Sequence, residues 1–237
     1  MSGETGLRER KKQRMYQTIS EAAISLFLQR GFDQVSVADV AAAAEVSKPT
    51  LFRYFPAKED LVLHRFADHE DEAARVVRDR PAGQSPLAAL RQHFLEGLER
   101  RDPITGLNDA EGVLAFHRLL YGTPSLVARL FAYVSRSEEA LASALAEAGP
   151  GDGAGGGPGD GRDDQPGGGA DDGADSGAEG LAARLAAGQI ITVQRILAED
   201  NWRRIAEGAT AEEVHPGAVA AADGAFAMLR SGLTPYA

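Results

Sequence analysis

The chain contains no cysteine among its 237 residues. This absence excludes a disulfide framework, cysteine-ligated zinc and thiol catalysis. No apolar run approaches the roughly 18 residues of a membrane span, and the basic residues near the N-terminus are not followed by the apolar run of a signal peptide. A soluble, cytoplasmic protein is therefore expected, with enough residues for one large helical domain or two small ones.

Acidic residues exceed basic ones, and the formal net charge is -10. The excess is unevenly distributed along the chain. Residues 1–58 hold nine Lys and Arg against six Asp and Glu, a balance of +3, so that the remaining residues carry −13. A mildly basic N-terminal segment on an acidic body is typical of a protein that touches phosphate with one end only.

Apolar residues recur at intervals of three and four along most of the chain, which predicts an all-α fold. Gly31 is a natural end for the first helix, and Ser36 and Ser47 can cap the next two. Pro56 ends the third helix. The predicted helices cover residues 8–30, 37–44, a short helix after Ser47, a longer one that opens at Lys58, and residues 85–101, 109–121, 125–147, 181–207 and 210–231.

Residues 149–180 differ in composition from the rest of the chain. They hold fourteen of the 27 glycines, eight acidic residues and one base, Arg162, and alanine supplies their only apolar side chains. Such a segment cannot bury enough apolar area to offset chain entropy. The composition therefore predicts a disordered acidic loop inserted between two helices.

Two short helices joined by a three-residue turn follow the first helix, which predicts a helix-turn-helix unit. Leu51 and Phe55, four residues apart, are expected to face the core. The opposite face then carries cations, hydroxyls and rings, a combination that suits the major groove of DNA, where Arg and Lys reach guanine or phosphate and aromatic edges meet thymine methyls. The predicted DNA-binding residues are Ser36, Val37, Ser47, Lys48, Pro49, Thr50, Phe52, Arg53, Tyr54 and Lys58, the last two assigned to phosphates.

The run GFDQVSVADVAAAAEVSKPTLFRYFPAKEDL, residues 31–61, resembles the DNA-binding signature of the TetR family of bacterial transcriptional regulators. The shared pattern includes a glycine–aromatic pair, a Ser-capped helix rich in alanine, a Val-Ser turn, an aromatic recognition helix and a Lys-Glu-x-Leu start of the fourth helix. The resemblance implies roughly nine helices in two domains. Residues 1–57 would form a three-helix DNA-binding domain, and residues 58–237 a larger helical effector-binding and dimerisation domain.

The same resemblance implies a homodimer that reads an inverted-repeat operator in double-stranded DNA. Family members usually act as repressors that a small molecule releases by changing the spacing of the two recognition helices, and the fourth helix, from Lys58, would carry that motion. In the family the last two helices pair with a second subunit. This assigns the dimer interface to the small-residue face of the last helix, formed by Ala218, Ala222, Ala225 and Leu229. Packing of this face within one chain is the alternative.

The effector pocket has a weaker signal in the sequence. The side chains that could line a cavity between helices are apolar or polar anchors: Phe66, Phe94, Phe116, His117, Leu120, Phe131 and Gln189. Core packing is the simpler interpretation of each aromatic residue. The acidic run at residues 68–72 has the composition of a metal site, but adjacent helical positions point in different directions, and a solvated face is expected instead.

Neither an enzyme nor a cofactor-binding protein is expected. The sequence has no glycine-rich phosphate loop after a strand, no HExxH motif and no nucleophile elbow. Two alternatives to a ligand-released repressor remain open. One is an activator or a ligand-independent DNA-binding regulator, and the other is a helical enzyme or adaptor whose helix-turn-helix is coincidental. Salt-dependent binding to duplex DNA would exclude the second alternative.

Overall fold

The computed structural model describes residues 2–149 and 172–236. Within these ranges the chain forms ten α-helices, three 3-10 segments and no β-strand, so the all-α prediction is confirmed. The helices are α1 (Ser2–Arg30), α2 (Val37–Ala43), α3 (Lys48–Tyr54), α4 (Asp60–Leu63), α5 (Glu72–Arg78), α6 (Pro86–Glu99), α7 (Glu111–Gly122), α8 (Pro124–Ala148), α9 (Asp172–Ala206) and α10 (Ala211–Gly232).

The long helix predicted from Lys58 is wrong. The chain instead forms α4, a 3-10 segment at His64–His69, and α5. Asp71 leaves the helical conformation at φ −107° and ψ 8°, and α5 begins after it. The side chains of His69 and Glu72 hydrogen-bond across this junction at 2.6 Å. No Pro or Gly marks the break, so the sequence pattern predicted one continuous helix across it.

The predicted acidic loop is also corrected in part. Residues 150–171 lie outside the described residues, whereas α9 begins at Asp172, inside the predicted loop and before the expected start at Leu181. Ala174 and Ala178 are favourable helix residues. Once a helix has nucleated, each added residue gains a hydrogen bond, so α9 can extend into a segment whose composition alone indicated a loop.

The chain divides into two compact units, of which the first comprises Met1–Asp68 and Ala110–Tyr133. Its core is a single cluster of apolar side chains from α1, α2, α3, α4, α7 and the start of α8. Burial of each large apolar side chain contributes about 1.5–3 kcal/mol before entropy is subtracted. The largest buried members include Ile19, Phe27, Leu51, Phe55, Leu61, Leu63, Leu120 and Leu126.

Asp60 fixes the start of α4 in this unit. Its carboxylate accepts two hydrogen bonds from Arg129, from Nε at 2.8 Å and from Nη2 at 3.1 Å, and a third from the Ala57 amide at 3.1 Å. The Asp60 side chain is only 9% exposed, so these donors replace the water it has lost. The Ser20 hydroxyl donates to the Leu61 carbonyl at 2.7 Å and ties α1 to the same turn.

The second unit comprises His69–Asp109 and Val134–Ala237. Here α10 packs on both α6 and α9. The loop at Pro103–Thr105 lies against α9: the buried Asn201 amide donates to the Thr105 carbonyl at 2.9 Å. Gly106 follows at φ +72°, where a Cβ would lie 1.9 Å from the Ala198 carbonyl oxygen. Only glycine fits this approach of loop to helix.

The predicted domain boundary after residue 57 is a functional division and stays a prediction, since the two compact units combine residues from both sides of it.

The aromatic residues that absorb in the near ultraviolet are unequally shared between the units. The one tryptophan, Trp202, lies half-buried in α9 of the second unit. Four of the five tyrosines belong to the first unit: Tyr16, Tyr54, Tyr121 and Tyr133.

Among the helices of residues 2–149 and 172–236, none has the length and apolar character needed to cross a membrane.

Candidate nucleic-acid interface

Helix α3 is anchored to the first unit by one face. Leu51 and Phe55 are 1% and 2% exposed and belong to the core cluster, as the four-residue spacing predicted. Ser47 caps the helix, since its hydroxyl accepts a hydrogen bond from the Thr50 amide at 3.2 Å, and Pro49 occupies the first turn, where a missing N–H costs nothing. A helix of seven residues is thus fixed in position by its cap and two buried side chains.

Helix α2 is capped in the same way, with one addition. The Asp39 amide donates to the Ser36 hydroxyl at 3.2 Å, and the Ser36 amide donates back to the Asp39 carboxylate at 2.8 Å, which completes a capping box. The hydrogen bonds from the Ser36 hydroxyl and amide lower the pKa of Asp39 below its usual value. The predicted cap at Ser36 is confirmed.

The turn between α2 and α3 has a backbone geometry that the sequence pattern does not indicate. The Val46 amide donates to the Ala41 carbonyl at 2.9 Å and the Glu45 amide to the Ala42 carbonyl at 3.2 Å, the two bonds of a Schellman motif. Glu45 stands at the left-handed position with φ 55°, where glycine is usual. Because these bonds close the end of α2, the turn sets the angle at which α3 leaves it.

The other face of α3 is exposed. Phe52 is 49% exposed, a high value for a phenylalanine, and Arg53 projects beside it. Among the remaining predicted DNA-binding residues, those exposed to solvent are Ser36, Ser47, Lys48 and Pro49, and those half-buried are Val37, Thr50, Tyr54 and Lys58. The chain therefore brings two cations, two hydroxyls and an apolar ring onto one small surface, which we call the reading face: Ser47, Lys48, Thr50, Phe52 and Arg53.

Tyr54 borders the reading face and joins it to α1. Its ring meets the Tyr16 ring edge-on at 4.9 Å between centroids, and the Arg53 guanidinium lies 5.4 Å from its centre. Tyr16 also contacts Phe55 edge-on at 5.2 Å and stacks on His64 at 4.9 Å. Aromatic pairs of this kind contribute about 0.5–1.5 kcal/mol beyond their buried area, so Tyr54 has a packing role in addition to its predicted phosphate contact.

Lys58 has a role that the sequence analysis missed. Its ammonium donates to the Phe32 carbonyl at 2.5 Å, and it lies 4.1 Å from the centre of the Phe32 ring and 5.4 Å from that of Phe27. These contacts hold Lys58 against the end of α1. No local pattern indicates them, because the partners lie 26 and 31 positions earlier in the chain.

The residues predicted to line an effector pocket are divided between the units. The first unit holds Phe66, Phe116, His117, Leu120 and Phe131, and the second holds Phe94 and Gln189. Phe116, His117 and Leu120 are buried, and Phe66 packs on Phe116 at 6.0 Å between ring centres. Phe131, by contrast, is 57% exposed. Packing in a core, which the sequence offered as the simpler interpretation, describes these three residues and also Phe94, which is buried in the second unit.

His117 is shaped by that burial. With only 7% of its surface exposed, the imidazole is more stable neutral than charged, and burial lowers its pKa to about 4.

In the second unit Phe94 packs on Phe226 at 6.3 Å between ring centres, while Gln189 is exposed. A surface groove of about 600 Å³ lies between α6 and α10, and none of the predicted pocket residues lines it.

The small-residue face of α10 is covered within one chain. Ala218, Ala222, Ala225 and Leu229 are 2%, 0%, 9% and 6% exposed, because α6 and α9 pack against this face. This burial favours intramolecular packing, the alternative that the sequence left open, and a dimer interface at these four residues stays a prediction. Small side chains let a neighbouring helix approach, and in this protein the neighbour belongs to the same chain.

Within the acidic run at residues 68–72, Glu72 belongs to a hydrogen-bonded cluster rather than to a solvated face. The Glu72 carboxylate meets His69 Nδ1 at 2.6 Å and His93 Nε2 at 3.2 Å, and these hydrogen bonds outweigh burial and lower the pKa of Glu72 far below its usual value. Each imidazole contacts a different carboxylate oxygen. In the part of the chain that the structure describes, no group of three such side chains converges as metal ligands would.

Comparison with known proteins places this geometry in a family. The family model described as "Bacterial regulatory proteins, tetR family" matches residues 19–64, which include the Ser36 cap, the turn and the whole of α3. The DNA-binding region of this chain, residues 19–64, is that of the TetR family. The resemblance noted in residues 31–61 is therefore confirmed by a match that also takes in the buried half of α1.

Curated transcriptional regulators match over longer stretches. The transcriptional regulator TcmR of Streptomyces glaucescens is 36% identical over 140 residues, which are 56% of this chain and 58% of TcmR. The transcriptional repressor KstR of Rhodococcus jostii strain RHA1 is 31% identical over 105 residues, 43% of this chain and 49% of KstR. The chain thus spans about half the length of these relatives. Both carry names of regulators and neither that of an enzyme.

Solved structures that align with this chain are more distant in sequence. Salmonella enterica GusR aligns over 93% of this chain and 96% of its own, with 17% identity and a TM-score of 0.49. A likeness at this level does not indicate a ligand or a DNA sequence.

Proposed function

We propose that this TetR-family protein is a DNA-binding transcriptional regulator without catalytic activity, and that it acts in the cytoplasm as a homodimeric repressor of an inverted-repeat operator. One observation carries the proposal: the reading face is exposed while the opposite side of α3 is fixed in the core. A rigid support under an exposed face is what base recognition requires, because each contact depends on the placement of a side chain within a groove.

Roles for the side chains follow from their chemistry. Arg53 can donate two hydrogen bonds to the O6 and N7 atoms of one guanine, the most common specific contact in the major groove. Phe52, held outward on the same helix, can meet a thymine methyl. Lys48 and the Ser47 hydroxyl lie at the N-terminal end of α3, where contacts to the phosphate backbone are usual.

A dimer would place two copies of α3 about one helical turn of DNA apart, roughly 34 Å. The last two helices offer a surface for this. Leu181, Leu185 and Ile196 recur on one side of α9 and are 56%, 58% and 52% exposed, and Met228 of α10 is 70% exposed. We propose that a second copy of the chain covers these residues, in place of the buried alanine face.

Release by a small molecule would act through a shift between two states that differ in the separation of the two α3 helices. Within the first unit, Asp60 and Arg129 join the start of α4 to α8. A displacement of either helix would be transmitted across this pair. The name of KstR, a repressor, supports the sign of regulation.

The first experiment is selection of the purified chain against random duplex DNA at two salt concentrations. An inverted repeat should be recovered, and its affinity should fall as salt rises, because bound cations displace the counterions of DNA. Arg53→Ala should then weaken binding to the recovered site by roughly 5- to 150-fold, the equivalent of about 1–3 kcal/mol.

Arg230→Ala is the matched control, since Arg230 is an exposed arginine of α10 in the second unit. It should leave binding to the operator unchanged. Thermal unfolding should give the same Tm for both variants and the parent chain. Loss of folding and binding together in Arg53→Ala would overturn the assignment of the reading face.

A further inference from the structure

Tyr16 lies where three elements of the first unit meet. The residue is half-buried on α1, and its ring contacts two consecutive rings at the end of α3, those of Tyr54 and Phe55. It also stacks on His64, the residue directly after α4, at 4.9 Å between ring centres. One side chain of α1 therefore joins the end of α3 to the end of α4.

These contacts restrain the Tyr16 ring in two different ways. The Tyr54 and Phe55 rings both lie at 84° to it, whereas the His64 ring is inclined by only 24°. Edge-on and stacked pairs are both favourable arrangements of aromatic rings. Since Phe55 is itself only 2% exposed, the core of the first unit fixes the position of one of these partners. The Tyr16 ring thus gives Tyr54 a defined surface to pack against.

The Arg53 guanidinium contacts the next ring in this series. Its central carbon lies 5.4 Å from the centre of the Tyr54 ring, within the range at which a cation is attracted to an aromatic face. In the part of the chain that the structure describes, no carboxylate forms an ion pair with Arg53. Because an arginine side chain has many rotamers, its direction depends on the contacts that it makes. For Arg53 that contact is the Tyr54 ring.

We propose that Tyr16 is a positioning residue for base recognition: it holds the Tyr54 ring, and through that ring it directs the Arg53 guanidinium toward a base. The inference rests on the proposed function, because Tyr16 has this role only where Arg53 contacts DNA. A guanidinium that is already directed loses less freedom when it bonds to a guanine. The contribution of Tyr16 is therefore confined to DNA that presents the right base, and it adds little to binding through phosphates.

The test measures the affinity of the full chain for two probes, the selected operator and a duplex of scrambled sequence. Tyr16→Leu removes the ring and should weaken binding to the operator by roughly 2- to 10-fold, the cost of ordering one flexible side chain. Binding to the scrambled duplex should change less, so the ratio of the two affinities should fall. The dependence of affinity on salt should be that of the parent chain, since the substitution removes no charge.

Two further substitutions separate positioning from stability. Tyr16→Phe keeps the ring and should retain the affinity ratio of the parent chain. Tyr121→Leu removes another half-buried tyrosine packed on the same core, and should lower Tm without changing the ratio. An equal fall of the ratio in Tyr121→Leu would overturn the proposal. If Tyr16→Leu does not fold, Tyr16→Met takes its place, because a flexible thioether fills irregular space.

A double-mutant cycle decides whether Tyr16 acts through Arg53. In a chain that already carries Arg53→Ala, Tyr16→Leu should lower the ratio no further, because the side chain that Tyr16 positions is gone. An equal loss with and without Arg53 would overturn the inference, as would an unchanged ratio in Tyr16→Leu alone. Failure of the parent chain to bind any duplex would instead contradict the proposed function.

Discussion

At the scale of the single residue, Lys58 shows how a charged side chain can stabilise a small domain from within. Its ammonium bonds to the Phe32 carbonyl and lies over the Phe32 ring. We expect Lys58→Met, which keeps the length of the side chain, to lower the free energy of unfolding by about 1–3 kcal/mol. Denaturant unfolding at neutral pH measures this decrease.

The same variant tests the phosphate contact predicted for Lys58. If the ammonium is fully used inside the chain, the salt dependence of DNA binding should be that of the parent. A slope shallower by about 0.9, without loss of stability, would return Lys58 to the DNA-binding residues.

His117 makes stability depend on pH. Burial lowers its pKa to about 4 in the folded chain, against about 6.5 in the unfolded chain. Protonation therefore favours unfolding, so the contribution is complete above about pH 6.5 and is lost as the pH falls toward 4, to a total of about 3 kcal/mol. His117→Phe should flatten the curve of unfolding free energy against pH in this window. Parallel curves for parent and variant would contradict it.

The sequence identified the residues of the reading face more reliably than their roles. Leu51 and Phe55 could be assigned to the core and Arg53 to the surface because helical spacing alone divides them. Tyr54 and Lys58 could not be resolved in this way, since their partners Tyr16 and Phe32 come from elements brought close only by folding. Burial of His117 likewise depends on the whole core of the first unit.

At the scale of the element, the pair of Asp60 and Arg129 holds α4 to α8. Arg129→Leu would leave a carboxylate that is 9% exposed without its charged partner, and we expect a decrease of about 3–5 kcal/mol in the free energy of unfolding. Combining it with Asp60→Asn should recover most of that decrease, because the buried charge is then gone and an amide oxygen can still accept from the Ala57 amide.

A double-mutant cycle in urea gives the coupling between the two side chains. Strictly additive effects would show that the pair does not join the two helices. Recovery in the double variant would allow DNA binding and effector release to be measured in a chain that folds but has no bond between α4 and α8.

Local signals predicted the elements well where the structure is locally determined. The caps at Ser36 and Ser47 and the stop at Gly31, which adopts φ 84°, depend only on neighbours in the chain. The break between α4 and α5 does not, because its residues are compatible with helix and no Pro or Gly interrupts them. Glu45 is a similar case: it occupies a left-handed position that sequence reasoning reserves for glycine.

At the scale of the whole molecule, the two sides of the last helices should respond differently to substitution. Leu185→Glu places a charge on the exposed apolar stripe of α9 and should shift the chain from dimer to monomer with little change in helix content. Ala222→Leu overfills the covered face of α10 and should cost about 1–3 kcal/mol in stability.

Analytical ultracentrifugation and circular dichroism separate these effects. A dimer that persists in Leu185→Glu, together with dissociation of a well-folded Ala222→Leu chain, would reverse the assignment of the two faces. The sequence could not make this choice, since a row of alanines allows close packing whichever chain supplies the partner helix.

The unequal distribution of aromatic residues makes each unit visible to a different optical signal. Trp202 reports on the second unit, and four of the five tyrosines report on the first. Emission excited selectively at the tryptophan therefore follows one unit during unfolding, while the tyrosine signal is weighted toward the other. Coincident transitions would mean that the units unfold as one, and separate midpoints that each is independently stable. Because Tyr54 borders the reading face, titration with duplex DNA should alter tyrosine emission first, so the unlabelled protein contains its own binding sensor.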